Sequence, residues 1–236
     1  MKAITKSWGG VIFCLLLGLA FLSVALTAQK AEVKAINNRG VDYMDQHKYA
    51  EAAKEFEKAI KLCPGYVTGY VNLGIAQYNQ YEYPEAEKAL KKALELKPGH
   101  LHAHYVLGLI YKTQGKHEKA IAEFKQVVKA DPQDHFSYYN LGSIYTKLGE
   151  HEKAIEAFRK VVQLDPTNIA AHYSLGRELM KIGKTEEGKK ELEIFQKLRV
   201  EIPKEPGYAA GYASGYASRY LEQSKYAMPI REPDTD

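Results

Sequence analysis

Residues 135–168 read HFSYYNLGSIYTKLGEHEKAIEAFRKVVQLDPTN. Apolar residues in this stretch fall three and four apart: Leu141 and Tyr145, then Ala154, Phe158 and Val161. Such spacing puts them on one face of an amphipathic helix. Gly149 interrupts the pattern, where a left-handed turn costs glycine little. Pro166 closes it, because its ring and missing N–H cannot continue a helical ladder. The stretch is therefore two helices joined by a turn. Gly142 and Ala154 lack bulk, so the two helices approach closely where these residues face each other.

The same pattern extends in both directions at a spacing of 34 residues. Prolines recur at Pro64, Pro98, Pro132 and Pro166, and glycines at Gly40, Gly74, Gly108, Gly142 and Gly176. Ala52, Ala86, Ala120 and Ala154 repeat in step, as do Phe56, Leu90, Phe124 and Phe158. Fixed self-similarity of this length marks a repeat array. The blocks are 33–66, 67–100, 101–134, 135–168 and 169–202. Asp134 and Asn168 suit the caps of the helices that follow them. The ends depart from the pattern: Arg39 replaces leucine in the first block, and Leu179, Gly188 and Val200 stand in the fifth. Terminal repeats meet water on one side and are expected to differ.

Tyr138, Leu141-Gly142, Tyr145, Ala154, Phe158 and Pro166 together resemble the tetratricopeptide repeat (TPR) motif, and the resemblance covers residues 33 to about 202. It implies an all-α, right-handed α-solenoid of about five helical hairpins. The first helix of each hairpin would line a concave groove. Members of the family are usually non-catalytic adaptors that hold a peptide or a partner helix there. The groove positions carried over to this chain are roughly the second, fifth, ninth, twelfth and thirteenth of each block. They place Tyr105, Tyr139 and Tyr173 as a ladder, with Phe136, His102 and Leu109 beside it. Tyrosine offers rigid contact area with a polar tip. Lys147, Arg177 and Lys181 make a basic end suited to an acidic or carboxylate-bearing segment. Of the clamp used by chaperone-binding members only Asn72 fits; Asn37, Val41, His102 and Val106 replace the rest.

The ends of the chain are of different kinds. Lys2 and Lys6 precede an uncharged run from Ser7 to Ala28, 22 residues long. That reads as a secretory signal or an N-terminal membrane anchor, since a span needs about 20 residues. Residues 1–32 are assigned to it, and the setting expected is the periplasmic face of an inner membrane or the periplasm. Residues 203–236 form a low-complexity tail in which Tyr208, Tyr212, Tyr216 and Tyr220 recur every four residues among Gly, Ala and Ser. Its composition lacks the bulk for a core and reads as mostly disordered. The tyrosines make it a candidate binding tail, able to dock in a neighbouring copy's groove.

Composition narrows the function. The chain has 236 residues, 45% hydrophobic and 26% charged, an ordinary globular balance. Two cysteines exclude a disulfide scaffold. Lys+Arg 33 against Asp+Glu 29 leaves +4, with positive and negative charges interleaved, which argues against nucleic acid. There is no phosphate loop, nucleophile elbow or Ser/His/Asp set. His100, His102 and His104 do not make a convincing metal site, because His104 falls at a packing position. The sequence thus reads as a non-enzyme without cofactor or metal. It would be an adaptor for a protein or peptide partner, or alternatively a self-assembling scaffold in which groove and tail join copies as a homo-oligomer.

Overall fold

A computed structural model of the chain describes residues 5–201 and 225–233, and side chains from 25 to 200 and from 225 to 233. Ten helices follow one another: α1 (Thr5–Asp45), α2 (Tyr49–Leu62), α3 (Val67–Asn79), α4 (Tyr83–Leu96), α5 (Leu101–Thr113), α6 (His117–Ala130), α7 (His135–Leu148), α8 (His151–Leu164), α9 (Ile169–Lys181) and α10 (Thr185–Glu201). No strand occurs among the described residues. Five antiparallel pairs result, α1 with α2 through α9 with α10, and each pair packs on its neighbours. This is the solenoid that the 34-residue period requires.

The contact that sets each hairpin is repeated at the same register. A Cβ added at Gly108 would lie 2.8 Å from Phe124 Cζ, and one at Gly142 would lie 2.7 Å from Phe158 Cε1. Gly40 faces Phe56, Gly74 faces Leu90 and Gly176 faces Leu192 in the same way. Ala52, Ala86, Ala120 and Ala154 are wholly buried beside them. Only glycine lets the large side chain of the second helix reach the backbone of the first.

The turns obey the same period. Gly115, Gly149 and Gly183 have φ of 72°, 73° and 81°. In the first two repeats the equivalent positions are His47 and Tyr81, at φ 58° and 63°. A side chain in that region is strained by roughly 1–2 kcal/mol, so the first two turns are less relaxed than the later three. Asp134 and Asn168 do cap α7 and α9, accepting from Ser137 N–H and Ala171 N–H, each at 3.0 Å. At the atypical first repeat, Arg39 turns outward and pairs with Glu55 at 3.1 Å.

Both expected ends need qualification. The helix α1 runs from Thr5 to Asp45 without a break at the boundary assigned to 32/33. The side chains of the uncharged run fall mostly outside the described residues. Among the described residues no helix is long and apolar enough to cross a membrane. Tyr208, Tyr212, Tyr216 and Tyr220 lie outside the described residues. Residues 225–233 are described, and they are not free chain: Tyr226 is 6% exposed and joins the main core. The rest of the tail expected to be mostly disordered, 203–224 and 234–236, lies outside the described residues.

Gly142→Ala should destabilise the array by about 1–3 kcal/mol, because the Phe158 ring is hemmed in and cannot yield the missing space. A thermal melt of the variant coinciding with that of the parent would contradict this packing account.

Candidate functional site

The first helices α1, α3 and α7 present asparagine at related positions. Asn38, Asn72 and Asn140 stand one residue before the Leu-Gly position or its equivalent, at multiples of 34. Asn37, Asn72 and Asn140 are wholly buried. A buried amide must find partners for both its N–H2 and its oxygen. Asn140 finds them within the array: its amide donates to Phe136 O at 3.0 Å, and its oxygen accepts from Lys112 Nζ at 2.8 Å. Asn72 and Asn38 find them in the far end of the chain.

Ile230 N–H donates to Asn72 Oδ1 at 2.7 Å, and Asn72 Nδ2 donates back to Ile230 O at 2.8 Å. Asn37 Nδ2 donates to the same carbonyl at 3.0 Å, while its own oxygen accepts from Asn72 Nδ2 at 2.8 Å. Two residues on, Glu232 N–H donates to Asn38 Oδ1 and Asn38 Nδ2 donates to Glu232 O, both at 2.9 Å. One edge of an extended strand presents the N–H and C=O of every second residue. Asn72 and Asn38 therefore act as a neighbouring strand would, reading Ile230 and Glu232 through the backbone.

Side chains fix the register. Tyr226 lies in a socket made by His102 and Tyr105, with ring centroids at 5.2 and 6.1 Å. Its hydroxyl donates to Asp131 Oδ2 at 2.6 Å, and Lys225 Nζ pairs with the same oxygen at 2.7 Å. These two hydrogen bonds, that of Lys225 first, hold the Asp131 carboxyl below its usual range. Burial, and then the Asp131 acceptor, push the Tyr226 phenol up to about 12. Arg231 pairs with Asp42 at 2.9 Å and Asp45 at 3.1 Å. The Glu232 carboxylate accepts from Thr68 Oγ1 at 3.0 Å and Tyr66 Oη at 3.2 Å. The segment thus runs from the third repeat back to the first.

The residues expected from sequence are placed unevenly. Tyr105 is sealed, at 0% exposure, between Phe124 and Tyr226. Tyr139 is 6% exposed and Tyr173 half-buried. Their rings pack on Phe158 and Phe195 of their own hairpins, at 5.6 and 5.1 Å. The tyrosine ladder is therefore largely hairpin packing, and only its edges meet the groove. Leu109 is buried and Phe136 half-buried. Asn72 lies at the centre of the contact. Asn38 and Asp131 were missed, although the 34-residue recurrence of asparagine was a visible signal for Asn38.

In repeats four and five, Tyr139, Ser143, Lys147, Tyr173, Arg177 and Lys181 line a cavity of about 280 Å³ that no described tail residue enters. Its basic character is smaller than the sequence implied. Lys181 is taken up by the buried Glu178 at 2.7 Å, which also accepts from His151. Arg177 lies over the Tyr173 ring at 5.6 Å. Among the described residues, Lys147 and Arg177 have no carboxylate partner. Burial, and then the charge of Lys147, bring the neighbouring Lys112 ammonium down to about 8.

The histidines are used structurally. His104 bonds to Glu123 at 2.6 Å and to Pro98 O at 2.8 Å, which occupies both ring nitrogens. No group of three His, Cys, Asp or Glu able to hold a metal occurs among the described residues. Burial, then the charges of His100 and Lys225, bring His102 down to about 4.

Three profiles of the tetratricopeptide repeat family match the chain, over residues 40–80, 71–135 and 135–168. Together they run unbroken from 40 to 168, more than half of the chain, which belongs to this family. Similar solved structures include MamA 41-end from Desulfovibrio magneticus RS-1, with 26% identity, a TM-score of 0.67, and coverage of 72% of this chain and 97% of that one. A crystal structure of MamA protein has 25% identity, a TM-score of 0.66, and coverage of 74% and 99%. YrrB, described as a TPR protein with an unusual peptide-binding site, shares the fold at 19% identity, a TM-score of 0.63, and coverage of 76% and 92%. No curated protein sequence matches significantly.

The protonation of His102 gives the docked segment a pH dependence. His102 faces His100, the N-cap of its own helix, and Lys225 and Tyr226 from the segment. Its docked pKa lies below the ordinary 6.5, so docking is fully favoured above that value and weakens as pH falls towards about 4. The shift of His100 acts in the same direction, while loss of the Asp131 charge belongs to still lower pH. The Ile230 amide resonance should move from docked to free across this window; a docked signal persisting at about pH 4.5 would contradict the assignment.

Proposed function

We propose that the chain is a non-catalytic adaptor whose groove takes an extended polypeptide, in an exported, membrane-associated or periplasmic complex. The observation that carries this reading is the pair of asparagine clasps on Ile230 and Glu232. They recognise a backbone in extended form and make no demand on the side chains it bears. A groove built that way suits a peptide better than a compact small molecule. The peptide-binding description of YrrB supports the same use of the fold. The exported setting rests on the uncharged run from Ser7 to Ala28.

The half of the groove in repeats four and five extends the reading to the partner's charge. Lys112 is half-buried and held by a neutral amide. Lys147 lies near it and lines a cavity together with Arg177, and neither has a carboxylate partner among the described residues. Cations brought together in this way gain from an acidic ligand.

Twelve-residue peptides selected from a random library on the full chain should be rich in Asp and Glu. Reversing charge with Lys147→Glu and Arg177→Glu should weaken them at least tenfold, about 1.4 kcal/mol, with helix content unchanged. A selection that yields no peptide, or peptides indifferent to the reversal, would overturn this reading.

A further inference from the structure

The segment 225–233 is held by contacts of an exchangeable kind. Its two central residues are each clasped through N–H and C=O, four bonds that another polypeptide is able to make, and the Glu232 carboxylate adds side-chain contacts with Thr68 and Tyr66. The ion pairs of Arg231 sit at the surface, its side chain 47% exposed, where such pairs contribute little. Tyr226 fills a socket that opens onto the groove. Meanwhile Asn37 and Asn72 are wholly buried with the segment in place, and their amides need a replacement when it leaves. The groove is thus complementary to an occupied state. Between α10 and Lys225 lie residues 202–224, at most roughly 80 Å of chain.

We infer that Lys225–Pro233 is a resident ligand of its own groove, and that a partner enters by displacing it with a segment of the same pattern. That pattern is an aromatic hydroxyl, then, four and six residues later, two backbone units that carry N–H groups, with a basic side chain between them. The partner is an unfolded or extended stretch of polypeptide, without proline at those two positions. Displacement also uncovers the ring of Tyr105, so the sealed rung of the ladder becomes a contact for the incoming aromatic residue. The inference rests on the groove reading above and adds the competitor and the partner's pattern.

The test uses the full chain and a fluorescent synthetic peptide corresponding to residues 222–236, read by anisotropy. Ile230→Pro with Glu232→Pro removes the two N–H donors while leaving every helix intact. The peptide should bind this double variant at least tenfold more tightly than the parent, and adding Asn72→Ala should reverse the gain. Equal affinity for parent and proline variant would overturn the resident-ligand proposal and leave the peptide groove standing. If the peptide binds neither, while library-selected acidic peptides still bind, the pattern is wrong and the groove is not. If both probes fail, the groove reading falls as well. Light scattering showing that the proline substitutions convert a dimer into a monomer would place the segment in a second copy and overturn occupancy in cis. Tyr226→Ala, which empties the socket without touching the backbone, repeats the comparison should the proline variant lose helix.

Discussion

Everything in this molecule depends on glycine meeting a large side chain sixteen residues further on. Gly108 against Phe124 and Gly142 against Phe158 bring the two helices of a hairpin so close that a single added carbon finds no room. Because that contact recurs every 34 residues, the hairpins stack at constant register. Constant register lines up equivalent residues of the first helices along one face. Asn38 and Asn72 come from successive repeats, yet they meet alternate residues of a single extended segment. The clasp is therefore a product of the packing period and not of any local motif.

That origin explains what the sequence disclosed. Helices, turns and hairpin pairing follow from the spacing of Gly, Ala, Phe and Pro, which is local information. The turn glycines were legible for the same reason, although His47 and Tyr81 show that the backbone conformation persists where glycine is absent. The groove was less legible. Tyrosine at the fifth position of the third, fourth and fifth blocks suggested recognition, but its ring is used to cover the second helix. The same position carries both packing and binding information, and sequence alone does not separate them. The contact of Tyr226 with Asp131 spans 95 residues. No periodicity announces it, and the composition of residues 203–236 pointed away from any docked structure.

Charge is distributed along the groove in two regimes. In the first three repeats it is balanced: Asp131 against Lys225, and Asp42 and Asp45 against Arg231. Further on, Lys147 and Arg177 line a cavity that no described tail residue enters, and Lys112 has an ammonium brought down by burial and by Lys147. Burial without a counter-ion is costly, so this end is the electrostatically unfinished part of the surface.

A solenoid is ordinarily a row of units that each feel only the next. The segment from Lys225 to Pro233 breaks that rule, because it touches α1, α3 and the turn after α6 at once. It works as a splint across three hairpins, two of which contain the strained turns at His47 and Tyr81. The first half of the array is thereby tied into one mechanical body, while the second half keeps the give of an ordinary spring. Whatever occupies the groove also sets how far the superhelix is able to flex.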